Sequence, residues 1–183
     1  MAKIKAIDNF IINSVKEIRE KLEIGQEELS EQVYGSEGSN LVGAVESEKS
    51  IGYNDHHLNA FAKYFSAVAS SIDEYIRQER GLKEKYEITD FYPENPMDDA
   101  LIDKKINKVS LDSYPSGALK LLAKEKDEFT SFWRSIKEIT DYCNSRFNKK
   151  WTSNEFSGAL AYAEKIGLFA REGENSPRYK LTE

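Results

Sequence analysis

Val15-Lys16-Glu17-Ile18-Arg19-Glu20-Lys21-Leu22, followed by Gly25-Gln26-Glu27-Glu28-Leu29-Ser30-Glu31-Gln32-Val33, decides the reading of the first half of the chain. Ile11, Val15, Ile18 and Leu22 fall at i, i+4, i+7 and i+11, one apolar stripe of a helix. Lys16, Glu17, Arg19 and Glu20 occupy its wet side. Gly25 stops that helix, and the early acids Glu27 and Glu28 suit the positive end of a second one. Gly35-Ser36-Glu37-Gly38-Ser39 reads as a turn, and Asn40 to about Glu46 as a third helix with Leu41, Val42 and Val45 inward. Asn54 or Asp55 suits the N-cap of a fourth helix carrying Leu58, Phe61, Ala62 and Phe65. Ser71-x-x-Glu74 reads as a capping box before Ile72, Tyr75 and Ile76. Five helices with tight connections, the first two joined by a glycine-bearing turn, form a helix-turn-helix arrangement.

The other end of the chain carries a different pattern. Gly117 to Lys124 reads as a helix, and Phe129-Thr130-Ser131-Phe132-Trp133 as a short strand. Ile136, Ile139, Cys143 and Phe147 mark a second helix. Thr152-x-x-Glu155 is a capping box opening a third, with Phe156, Ala159, Leu160, Ala163 and Ile166 inward and Gly167 as a left-handed stop. Leu168-Phe169-Ala170-Arg171 and Arg178-Tyr179-Lys180-Leu181 flank a six-residue loop, a hairpin signal. Alternation places Leu168 and Ala170 with Tyr179 and Leu181 on one face, and Arg171, Arg178 and Lys180 on the wet one.

Three of the four prolines, Pro93, Pro96 and Pro115, lie between these patterns. The expected organisation is therefore one domain over 1–78, a connector over 79–115 and a second domain over 116–183. Each domain has roughly 70 residues and buries a modest share of its surface alone, so mutual packing or dimerisation is favoured.

The first pattern resembles the Cro/C1-type (XRE) helix-turn-helix domain over about residues 10–77. The residues carrying the likeness include Val42-Gly43-Ala44-Val45-Glu46-Ser47-Glu48-Lys49 and Asn59-Ala60-Phe61-Ala62-Lys63-Tyr64-Phe65. The resemblance implies that Gln26 bonds a phosphate, that Ser39, Asn40, Gly43 and Ala44 face the major groove, and that Lys49 reaches the DNA backbone. Two departures stand out: the turn Tyr34–Gly38 is about two residues longer than the usual pattern, and the reading helix has no Arg or Lys. Asn40 suits adenine and Ala44 a thymine methyl, whereas bidentate readout of guanine is missing.

The stretch 116–183 resembles winged-helix regulators, whose third helix ends in Gly-Leu and leads into the wing. This likeness implies base contacts from Ser153, Asn154 and Ser157, phosphate on the helix N-terminal amides, and phosphate contacts from Lys149, Lys150, Arg171, Arg178 and Lys180. An ordinary solvated hairpin edge is the alternative for these cations. The expected fold is mainly α: a five-helix Cro/C1-like domain plus a winged-helix-like domain with a short C-terminal β-hairpin.

Charge bears on this reading. The 183 residues carry 26 Lys and Arg against 32 Asp and Glu, a net charge of −6. Residues 1–78 hold −5, 79–115 hold −3 and 116–183 hold +2. Such a chain does not coat nucleic acid by charge alone. It leaves room for a few placed contacts, with the C-terminal hairpin the first place to look.

Enzymatic chemistry has no foothold in the sequence. His56 and His57 are adjacent and point about 100° apart on a helix, so they share no metal. Cys143, the lone cysteine, lies on an apolar face and reads as core. Trp151 reads as packing rather than a base-stacking platform. The acids from Glu84 to Glu94 and Asp98-Asp99 read as a solvated linker. No cofactor, catalytic residue or metal is expected. No apolar run spans a membrane, and Met1-Ala2-Lys3-Ile4-Lys5 opens no secretory signal, so a cytoplasmic protein is expected. The expected function is a transcriptional regulator of bacterial or phage derivation. It would occupy double-stranded operator DNA as a homodimer. The alternative is a protein-interaction adaptor built from two such folds that no longer read DNA.

Overall fold

A computed structural model describes residues 2–35, 40–47, 49–108, 110–175 and 177–182. The described chain is mainly helical, with small antiparallel sheets, and separates into two compact units. Among the described residues no helix is long and apolar enough to cross a membrane.

The first unit comprises residues 1–72 and 81–109. Its helices are α1 (Ala6–Lys21), α2 (Gln26–Tyr34), α3 (Leu41–Val45) and α4 (Asp55–Ser71). The stripe expected on α1 holds: Ile11, Val15 and Leu22 are buried, and Ile18 packs half-buried against the same core. Ile12, Leu29, Val42, Leu58, Phe61 and Phe65 fill that core. Ser30 joins α2 to α3, its hydroxyl donating to Gln26 O at 2.7 Å and accepting the Val42 N–H at 3.0 Å. Asn54 caps α4, accepting the His57 N–H at 3.0 Å.

Residues 81–109 are not a solvated linker. Leu82, Tyr86 and Phe91 are buried in the first core. Strand β1 (Lys3–Lys5) pairs antiparallel with β2 (Leu101–Asp103), so the segment returns to the start of the chain. Asn9 and Asn13 of α1 then bind its backbone at Lys105 and Asn107. The acids do stay wet: Glu84, Glu87, Glu94, Asp98 and Asp99 are exposed.

The second unit comprises residues 73–80 and 110–183. It gathers α5 (Glu74–Glu79), α6 (Pro115–Lys124), β3 (Arg134–Ser135), α7 (Ile136–Phe147), α8 (Ser153–Lys165), β4 (Phe169–Glu172) and β5 (Arg178–Leu181). The fifth helix of the expected N-terminal domain thus packs with the C-terminal unit. Its cap also differs: Asp73 accepts the Tyr75 N–H at 3.1 Å, while Ser71 still belongs to α4 and donates to Val68 O. The strand expected over 129–133 is instead a 3-10 turn at Glu128–Ser131, with β3 starting at Arg134. All strands of the second sheet are antiparallel, in the order β3-β5-β4. Leu119, Leu122, Ile139, Cys143, Phe156, Leu160, Phe169 and Tyr179 form its core. Ile166 is 46% exposed rather than inward, because α8 ends at Lys165 and Gly167, at φ +74°, turns the chain away.

Candidate nucleic-acid interface

In the first unit two of the expected contact residues, Gln26 and Asn40, are engaged with the protein itself. Arg19 and Glu46 form a buried bidentate pair, Nε–Oε1 at 3.0 Å and Nη2–Oε2 at 2.7 Å. Gln26, although exposed, donates its amide to the same carboxylate at 2.8 Å. Glu46 lies just past α3 and Gln26 starts α2, so this cluster fixes the angle between the two helices. Asn40 is exposed at the N-cap of α3, but its side chain lies over Gly43, where a Cβ would collide with the Asn40 amide. Gly43 and Ala44 are half-buried. Lys49 is exposed, and its carbonyl accepts from the buried Lys104 Nζ at 2.6 Å. Lys104 also donates to Val45 O at 2.5 Å, closing the C-terminal end of α3. Ser39 lies outside the described residues.

In the second unit α8 has three distinct sides, as about 100° per residue dictates. Phe156, Ala159, Leu160 and Ala163 face the core. Glu155, Gly158 and Lys165 face α5: the Tyr75 hydroxyl donates to Glu155 O at 2.5 Å, and Lys165 pairs with Asp73 at 3.0 Å. The Tyr75 ring rests on Gly158, where a Cβ would strike it. Ser153, Asn154, Ser157 and Ala161 are exposed on the remaining side, together with Glu164. The sequence therefore selected three residues of one solvent-facing surface.

The start of α8 is less open to phosphate than expected. Glu155 Oε2 accepts the Thr152 N–H and hydroxyl, both at 2.7 Å, and these bonds hold its carboxyl below the usual range. An ionised carboxylate therefore sits beside the N-terminal amides. Lys150 is exposed and Lys149 half-buried, directly before the cap. Trp151 packs edge-on to Phe156, ring centroids 5.6 Å apart, and Asn144 brackets its backbone.

The hairpin faces differ from the expected alternation. Phe169 pairs with Leu181 and Arg171 with Tyr179; Ala170 pairs with Lys180 and Glu172 with Arg178. Phe169, Arg171, Tyr179 and Leu181 therefore share one face. Leu168 and Phe169 are both apolar, so alternation alone leaves two phases. The larger Phe169 is the one the core takes. Arg171 sits at the outer end of that face, 3.9 Å from Glu164 of α8. Arg178 donates to Trp133 O at 2.9 Å, and Lys180 Nζ lies 5.2 Å from the Trp133 ring centre. The sequence reading missed Trp133 and its neighbours as companions of these cations. Arg134 stacks over Phe129 at 4.4 Å, and Phe132 is 59% exposed. The three aromatics Phe129, Phe132 and Trp133, followed directly by Arg134, were the available signal.

The charge follows the two units. Asp73, Glu74, Glu79 and Asp112 offset Arg77, Arg80 and the +2 of residues 116–183, leaving the second unit neutral and the first with all of the −6. Cys143 is buried and its thiol is pushed up to about 12 by desolvation, so it is no thiolate near neutral pH. Among the described residues no group of three or more His, Cys, Asp or Glu side chains is placed to hold a metal ion. No family model, curated protein or solved structure matches the chain.

Proposed function

We propose that the protein is a DNA-binding transcriptional regulator, acting by operator occupancy as a homodimer in the cytoplasm. In this reading the first unit is a Cro/C1-like helix-turn-helix domain and the second a winged-helix-like domain. Support for the latter is the element order α6, β3, α7, α8, β4, β5 with the sheet order β3-β5-β4. The observation that carries the proposal is the exposed side of α8. Ser153, Asn154, Ser157 and Ala161 are small, so the helix backbone can approach a major groove closely, and two of these residue types bond base edges. Lys150, Arg178 and Lys180 have no carboxylate within ion-pair distance among the described residues and can meet phosphate.

Fluorescence anisotropy of labelled genomic fragments, including the protein's own promoter region, tests this across a salt series. Binding should weaken linearly on a log–log plot, with a slope of about 0.9 per phosphate contact. Replacing Arg171, Arg178 and Lys180 by Ala should weaken affinity and flatten that slope. Absence of binding to every fragment at low salt overturns the proposal.

A specific observation favours a second reading for the first unit. Its third helix presents no cation, Gln26 is held by Glu46, Asn40 lies back on Gly43, and the unit carries the whole net charge. These features suit an adaptor surface that binds protein. If Asn40→Ala with Lys49→Ala leaves DNA affinity unchanged while the hairpin variant weakens it, the first unit is the partner-binding one.

A further inference from the structure

We infer that the cleft between the C-terminal end of α6 and strand β5 binds a small organic carboxylate with an apolar body. The cleft has a volume of about 430 Å³, within the range of small-molecule sites. Ala123, Leu168 and Leu181 supply an apolar lining, and Lys126, Lys180 and Ser131 supply polar groups. Leu168 and Leu181 belong to the rim of the second core and stay only partly covered. Covering them releases water from apolar surface.

Among the described residues no carboxylate lies within ion-pair distance of Lys126 or Lys180. The acids beside Lys126 in sequence are committed elsewhere. Glu125 pairs with Arg146. Asp127 accepts from Arg146 at 2.5 Å, from the Tyr142 hydroxyl at 2.8 Å and from the Phe129 N–H at 3.0 Å. Lys180 Nζ lies over the Trp133 ring, a π face rather than an anion. The negative end of α6 is blunted as well: the N–H groups of Glu125, Lys126 and Asp127 occupy the carbonyls of Leu121, Ala123 and Leu122. Two lysines lining one cleft with Ala123, Leu168 and Leu181 are complementary to a carboxylate on a hydrocarbon body. The charge-assisted bonds orient the head and the lining takes the tail.

Trp133 makes the test direct, because a carboxylate that draws Lys180 away changes the field on its indole. The full chain with Trp151→Phe leaves Trp133 as the sole indole. It is titrated with hexanoate and octanoate, followed by fluorescence and by calorimetry. Saturable binding is expected. Hexanamide should bind about tenfold more weakly than hexanoate. Lys126→Gln with Lys180→Gln should weaken hexanoate by a similar factor while far-UV circular dichroism and Tm stay unchanged. Leu181→Ser should weaken octanoate more than acetate. The inference is overturned if neither carboxylate binds saturably. It is equally overturned if hexanamide matches hexanoate, which marks an apolar hollow, or if acetate matches octanoate, which marks a charge patch.

Discussion

At the scale of single residues, the cluster of Arg19, Glu46 and Gln26 holds the first unit's helices in register. A buried pair costs desolvation that its hydrogen bonds must offset, so losing one partner is worse than losing both. Glu46→Leu alone is expected to cost about 3–5 kcal/mol in urea unfolding. Arg19→Met with Glu46→Leu should recover most of that loss. His57 gives a second residue-level expectation. It is buried, its Nδ1 accepts the Asn54 N–H at 3.3 Å, and its Nε2 lies 3.0 Å from the Tyr34 hydroxyl. Desolvation, with His56 beside it, lowers its pKa below the ordinary 6.5. The unfolded chain therefore takes up the proton first as pH falls. The stability due to neutral His57 is complete above the unfolded value and is lost as pH drops toward the folded one. Urea midpoints between pH 7.5 and pH 5 should fall faster for the native protein than for His57→Gln; parallel curves would sink the expectation. Neither cluster was visible in the sequence, because Glu46 is 27 residues from Arg19 and Tyr34 is 23 from His57. Periodicity identifies which face is wet, not which charges meet across a fold.

At the scale of elements, the helices were the legible part. Helix α7 begins with a Ser135–Glu138 capping box and α8 with a Thr152–Glu155 box, both local patterns that close within one turn. The contact between α5 and α8 was not legible, since it joins Tyr75 to Gly158 across the chain. Alanine is a better helix former than glycine by about 1 kcal/mol, so Gly158→Ala on an isolated helix would stabilise. Here the Cβ meets the Tyr75 ring, and a net loss of about 1–3 kcal/mol is expected by thermal unfolding. Tyr75→Ala should reduce the penalty of Gly158→Ala, a coupling that independent sites would not display. The hairpin taught the same lesson. Two adjacent apolar residues, Leu168 and Phe169, admit two phases of alternation, and a one-residue shift exchanges the faces. Only the register against β5 assigned Arg171 to the face of Tyr179 and left Arg178 and Lys180 on the other.

At the scale of the whole molecule, segment 81–109 shows how far composition can mislead. Acids and prolines made it read as a linker, and its apolar residues follow no helical or strand period. Hydrogen exchange distinguishes the two states. The Lys104 N–H bonds Ala2 O at 2.9 Å and the Ala6 N–H bonds Ala100 O at 2.9 Å. Protection at Lys104 well above that of the exposed residues at 94–98 is expected. Exchange at the intrinsic rate would mean that the strap is not seated. The proposed DNA-facing surface was half legible. Ser153, Asn154 and Ser157 were named from the winged-helix resemblance and are all exposed on one side of α8, while the engagement of Gln26 and Asn40 with their own unit was not legible.

Local sequence specified the mainly helical class, the positions of the long helices, the caps of α4 and α8 and the C-terminal hairpin. Those depend on contacts within a few residues or on a fixed period. Tertiary structure alone decided that 73–80 joins the C-terminal unit, that 81–109 closes the N-terminal one, and which distant charges pair. Each of these depends on residues distant in the chain meeting in space, where burial and charge pairing compete and no local pattern records the outcome.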